Sequence, residues 1–61
     1  MSIAQEIKRR RLAQQLTQTQ LANLVGTTQG KIGTWERGEQ EPSIRNLRRL
    51  AGALGPFVID A

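Results

Sequence analysis

Residues 18–37 read QTQLANLVGTTQGKIGTWER. Leu21, Ala22, Leu24 and Val25 recur on one side of a 3.6-residue period, and Ile32 and Trp35 do the same after Gly26. This spacing predicts two short helices joined by one tight turn. Thr17 is placed to cap the first helix, with Gln20 three residues later reaching back to complete a capping box. Leu16 and Leu21 flank that box at the positions of a hydrophobic staple. Gly26 suits the left-handed conformation that ends a helix, and Thr27 or Thr28 is ready to cap the next one. Ala22 is small where the two helices cross, so a larger side chain there is expected to push them apart.

The flanks extend the same pattern. A first helix is expected from about Ser2 to Gln14, with Ile3, Ile7, Leu12 and Leu16 apolar and Lys8, Arg9 and Arg10 on a solvated face. After Gly38 the segment Glu39-Gln40-Glu41-Pro42 is a polar loop. Ser43 then caps a helix whose Ile44, Leu47, Leu50, Ala51 and Leu54 form an apolar stripe opposite Arg45, Arg48 and Arg49. Gly55-Pro56 ends that helix, leaving Phe57, Val58 and Ile59 as an apolar tail that suits a helical turn or a strand.

The chain has 61 residues, enough for a single domain over 1–61 with one modest core. Nine Lys and Arg against five Asp and Glu give a formal charge of +4, which favours a polyanionic partner. With no Cys and no His there is no disulfide framework, no zinc finger and none of the usual nucleophile–base pairs of hydrolases. No enzyme activity, metal or cofactor is expected. The apolar stretches fall far short of the roughly 18 residues of a membrane span, and no signal-peptide pattern opens the chain, so a cytoplasmic protein without a membrane partner is expected.

Arg11, Leu16-Thr17-Gln18, Leu21-Ala22, Val25-Gly26-Thr27, Ile32, Trp35-Glu36, Gly38, Pro42-Ser43 and Leu50-Ala51 stand in an order and spacing that resemble the Cro and lambda-repressor-like, or XRE-type, family. The likeness runs from about Ile7 to about Leu54. It implies an all-α, compact four- to five-helix domain with residues 18–37 as its helix-turn-helix. It further implies sequence-specific binding of double-stranded DNA by a transcriptional regulator, most often a repressor. An antitoxin-type module that neutralises a partner toxin and regulates its own operon is the alternative.

In such a domain the third helix enters the major groove. Thr28, Gln29, Gly30, Gly33, Thr34 and Arg37 then turn toward DNA, with Thr28, Gln29, Gly30 and Thr34 as base contacts. Gln29 is the leading base reader, since a glutamine amide both donates and accepts and so matches the N6 and N7 edge of adenine. The resemblance points to the same position. Gln18, Thr27, Lys31, Arg37 and Ser43 are candidate phosphate contacts; for Gln18 the assignment follows the family, supported by the dipole of a helix N-terminus. The family also pairs Arg11 with Glu36. Leu21, Ala22, Val25, Ile32, Trp35, Leu47 and Leu50 form the expected core, Trp35 being placed inward by its spacing from Ile32.

Three features depart from the family pattern. Gly30 and Gly33 each weaken the recognition helix by about 1 kcal/mol relative to Ala. Gln15 stands where Gly or Asn is frequent, so a left-handed backbone there is strained. The chain also stops soon after an apolar tail, as expected of a truncated regulator or of a tail crossing a dimer. The resemblance implies a homodimer on an inverted repeat, with Leu54, Phe57, Val58 and Ile59 either joining the two copies or capping the core.

Overall fold

The computed structural model describes residues 2–57. Four helices follow in order: α1 Ile3–Ala13, α2 Gln18–Val25, α3 Gln29–Glu36 and α4 Ile44–Leu54. No strand occurs among the described residues, so the fold is the all-α one that the sequence implies.

Each helix starts on a side-chain cap. Ser2 and Thr17 form reciprocal capping boxes with Gln5 and Gln20, while Thr28 and Ser43 accept from the backbone N–H of Lys31 and Asn46. Of the two threonines open to the role in the turn, Thr28 takes it. The first three helices also end alike. The N–H groups of Leu16, Thr27 and Glu39 reach back to the carbonyls of Arg11, Ala22 and Thr34, closing Schellman turns. The residue inside each turn is left-handed: Gln15 at φ 59°, Gly26 at 83° and Gly38 at 73°. Gln15 alone carries a Cβ there, a strain of about 1–2 kcal/mol.

α2 and α3 pack on each other, α1 lies against α3 and α4, and α4 closes on α2. Their shared core is Ile7, Leu21, Ala22, Val25, Ile32, Trp35, Leu50 and Leu54, with Ile3, Leu16, Leu47, Ala53 and Phe57 packed around it. Trp35 is 3% exposed and is a core side chain. Leu47, expected in the core, lies at its half-buried edge.

Three leucine and isoleucine assignments need correction: Leu12, Leu24 and Ile44 are 55%, 62% and 71% exposed. In α1 the buried register is Ile7 and Arg11, so Leu12 is turned about 100° away. In α2 the inward arc is centred near Val25, between Leu21 and Ala22, and Leu24 falls about 100° to one side. Ile44 is the first residue of α4, a turn before half-buried Leu47, where the core has already ended.

Arg10 is not the solvated residue that the charge run suggests. Its Nη1 donates to the Gly55 and Pro56 carbonyls at 3.1 and 2.6 Å, and its guanidinium lies 4.7 Å from the Phe57 ring centroid. It thereby satisfies carbonyls at the C-terminal end of α4, where a cation is favoured. Val58 and Ile59 lie outside the described residues.

Candidate nucleic-acid interface

α3 buries Ile32 and Trp35 and leaves Thr28, Gln29, Gly30 and Lys31 exposed along its start. Capping occupies one lone pair of the Thr28 hydroxyl, which accepts from Lys31 N–H at 3.2 Å. The Thr34 hydroxyl donates back to the Gly30 carbonyl at 2.9 Å. That bond fixes the rotamer and commits its proton within the helix, so what Thr34 offers outward is its methyl group and the remaining lone pair.

Gln29 ends a chain of hydrogen bonds that begins in the core. Arg11 Nε and Nη2 donate to Glu36 at 2.6 and 3.0 Å, and Arg11 Nη1 donates to the Leu16 carbonyl at 2.8 Å. The side chains of this pair are 9% and 4% exposed. The Glu36 hydrogen bond holds the Arg11 guanidinium more firmly protonated than usual, against the opposing effect of burial. Gln18 Nε2 donates to Glu36 Oε1 at 3.2 Å, and Gln29 Nε2 donates to Gln18 Oε1 at 2.6 Å.

A carboxylate only accepts, so Glu36 forces Gln18 to turn its NH2 inward and its carbonyl outward. That carbonyl in turn draws the NH2 of Gln29. Gln29 is left presenting its carbonyl oxygen and its second N–H to solvent, which is one acceptor beside one donor. Sequence reasoning found Arg11–Glu36, Gln18 and Gln29 as separate assignments and missed that they form one relay. The available signal was that Gln18 and Gln29 are the first residues of two helices packed together.

Among the candidate phosphate contacts, Lys31 is exposed, Thr27 and Gln18 are half-buried, and the Ser43 hydroxyl caps α4. Arg37 is exposed and ion-paired with Glu39 at 2.9 Å. Hydrogen bonds from Arg37 hold the Glu39 carboxyl below the usual carboxylate range. Gly33, expected to turn toward DNA, is buried beneath the Arg37 guanidinium. Gln18, Gln29 and Arg37 therefore converge on one side of the α2–α3 pair, with further exposed cations on α4 at Arg45, Arg48 and Arg49.

A helix-turn-helix family model matches residues 7–56. The chain is 38% identical over 55 residues to the immunity repressor protein of Bacillus phage phi105, an alignment covering 90% of this chain and 38% of that protein. It thus spans well under half the length of that curated relative. The crystal structure of the P22 c2 repressor protein in complex with a synthetic operator superposes with a TM-score of 0.89 at 33% identity, covering 93% of this chain and 86% of that one. The restriction-modification controller protein C.AhdI from Aeromonas hydrophila superposes with a TM-score of 0.82 at 35% identity, covering 88% and 82% of the two chains.

Proposed function

The chain belongs to the helix-turn-helix family, and on that premise we propose that it is the sequence-specific, double-stranded-DNA-binding domain of a transcriptional repressor that reads the major groove with α3. The observation that carries this reading is the orientation of Gln29. Its exposed acceptor and donor match the N6 donor and N7 acceptor of adenine, and its remaining donor is held by Gln18. The P22 c2 repressor, with the same fold, binds an operator.

Thr28, Gly30 and Thr34 complete the base-facing surface, Gly30 through its bare backbone and Thr34 through its methyl group against thymine. Gln18, Thr27, Lys31, Arg37 and Ser43 meet phosphates and set the register of α3. The positive charge of the domain supplies the sequence-independent part of the affinity. Residues 1–61 act as one domain, without enzyme activity, in the cytoplasm. No helix among the described residues is long and apolar enough to cross a membrane. On an operator two copies bind an inverted repeat, their recognition helices about 34 Å apart on successive major-groove faces.

The test is selection of sites from a pool of random duplexes, followed by titration of the winning site and of an unrelated duplex over a range of salt. An enriched inverted repeat bound at least about a thousandfold more tightly than the unrelated duplex supports the reading. Equal affinity for both, falling together with salt, overturns sequence-specific recognition.

A further inference from the structure

Gly33 lies in the last turn of α3 and Arg37 is its C-cap residue one turn later, folded back over Gly33. A Cβ at position 33 would stand 2.9 Å from Arg37 Nη1, 3.8 Å from its Cζ and 3.7 Å from Gln18 Oε1. The glycine is thus a recess in the helix surface that the guanidinium occupies. It brings the charge a full turn toward the start of α3, beside the glutamine that holds Gln29. Without this recess the charge would stand near the C-terminal end of α3, farther from the groove-facing first turn.

A carboxylate already occupies the other side of this guanidinium. Arg37 Nε donates to Glu39 Oε2 at 2.9 Å and Nη2 to Glu39 Oε1 at 3.2 Å. This two-pronged arrangement is also the one in which arginine takes a phosphate. Nη2 lies 3.5 Å from Thr34 Oγ1, and Nη1 makes no hydrogen bond among the described residues. Both partners are exposed, at 59% and 57% of their side chains, so the pair is weak and readily exchanged.

We infer that Glu39 is an internal stand-in for a DNA phosphate: it holds Arg37 in its Gly33 recess in the free domain, and a backbone phosphate displaces it on binding. This inference rests on the DNA-binding reading above. Its functional consequence is a restraint on affinity. Each association with DNA must break the Arg37–Glu39 pair, and Glu39 then lies beside the phosphate it has yielded to. Glu39 therefore lowers binding to every duplex, whereas Gly33 raises it by seating Arg37 where a phosphate reaches it.

The test is a set of double-mutant cycles on DNA affinity with the full chain, using a selected site and an unrelated duplex. Arg37→Met is expected to flatten the plot of log affinity against log salt by about one phosphate contact, roughly 0.9. Glu39→Gln is expected to tighten both duplexes about two- to fivefold, and to give less than half of that gain in the Arg37→Met background, where only repulsion between Glu39 and DNA is left to remove. Gly33→Ala is expected to raise the melting temperature, because alanine favours helix, yet weaken DNA binding severalfold, again only while Arg37 is present. Opposite movements of stability and affinity separate a lost seat from a damaged fold. A Glu39→Gln gain that persists at full size in Arg37→Met reveals plain charge repulsion and overturns the exchange. Wild-type affinity in Gly33→Ala overturns the seat. Failure of the unaltered chain to bind any duplex overturns this inference and the DNA-binding reading together, whereas normal binding with flat cycles overturns this inference alone.

Discussion

Glu36→Gln removes the negative charge that, among the described residues, pairs with buried Arg11, while leaving side-chain size nearly unchanged. The Arg11 side chain is 9% exposed, and its three hydrogen bonds run to Glu36 twice and to the Leu16 carbonyl once. Removing one partner of such a pair costs about 3–5 kcal/mol, because the remaining charge stays out of water without compensation. A domain of 61 residues has only about 3–9 kcal/mol of total stability at usual per-residue values. The variant should therefore lose between about a third and all of its stability. At about 4–8 °C per kcal/mol for a domain of this size, the melting temperature should fall by at least about 12 °C. Thermal and urea unfolding followed by circular dichroism measure this directly. Arg11→Met combined with Glu36→Leu should recover much of the loss, since it removes both charges and keeps the volume filled. A Glu36→Gln protein that melts within a degree of wild type would show that Arg11 does not depend on a buried counter-charge, as would strictly additive effects at the two positions.

Other consequences are smaller or of opposite sign. Gln15→Gly relieves the Cβ strain at φ 59° and should raise stability by up to about 1 kcal/mol after the entropy cost of glycine; an unchanged or lower urea midpoint contradicts it. Ala22→Leu forces a branched side chain into the α2–α3 contact, where Ala22 is 2% exposed, and should cost about 1–3 kcal/mol by overpacking. An unchanged melting temperature with unchanged DNA affinity would speak against that. The carboxyls of Glu6 and Glu39 are held below 4.5 chiefly by hydrogen bonds from Arg9 and Arg37 respectively. Their contributions are thus complete above that value and disappear as pH falls through the lowered folded-state values. Stability should decline below about pH 4.5 and not between about pH 5.5 and 7, no histidine being present; a decline starting near pH 6 would contradict this assignment.

Much of the fold was legible because it depends on local rules. The Thr17-x-x-Gln20 box, Gly26 and the Ile32 to Trp35 spacing act within a few residues, and the capping and left-handed turn they announce are present at those positions. The register error at Leu12 arose where a polar side chain took a core-facing place, whereas Leu24 and Ile44 fell outside apolar rows that were themselves read correctly. Arg11 occupies the inward row of α1 that an apolar count gives to Leu12. Arg10 escaped notice for a related reason: its partners, the Gly55 and Pro56 carbonyls and the Phe57 ring, come from the far end of the chain. Backbone acceptors leave no signature in a sequence. The candidate site was legible as a set of residue types and illegible as an arrangement. Only packing of α2 on α3 brings Gln18 between Glu36 and Gln29, and only a folded-back Arg37 makes Gly33 a recess rather than an exposed gap.

In the proposed reading α3 reads bases through Gln29, held at a fixed orientation by Gln18. The most direct measurement is the change in base preference between the wild-type chain and Gln29→Ala when each selects sites from the same random duplex pool. The wild type should enrich an inverted repeat with an adenine in each half-site. Gln29→Ala should lose that preference, at a cost of about 1–3 kcal/mol on the wild-type site, while its salt dependence stays unchanged. Identical selected sites for both proteins would rule out base reading by Gln29.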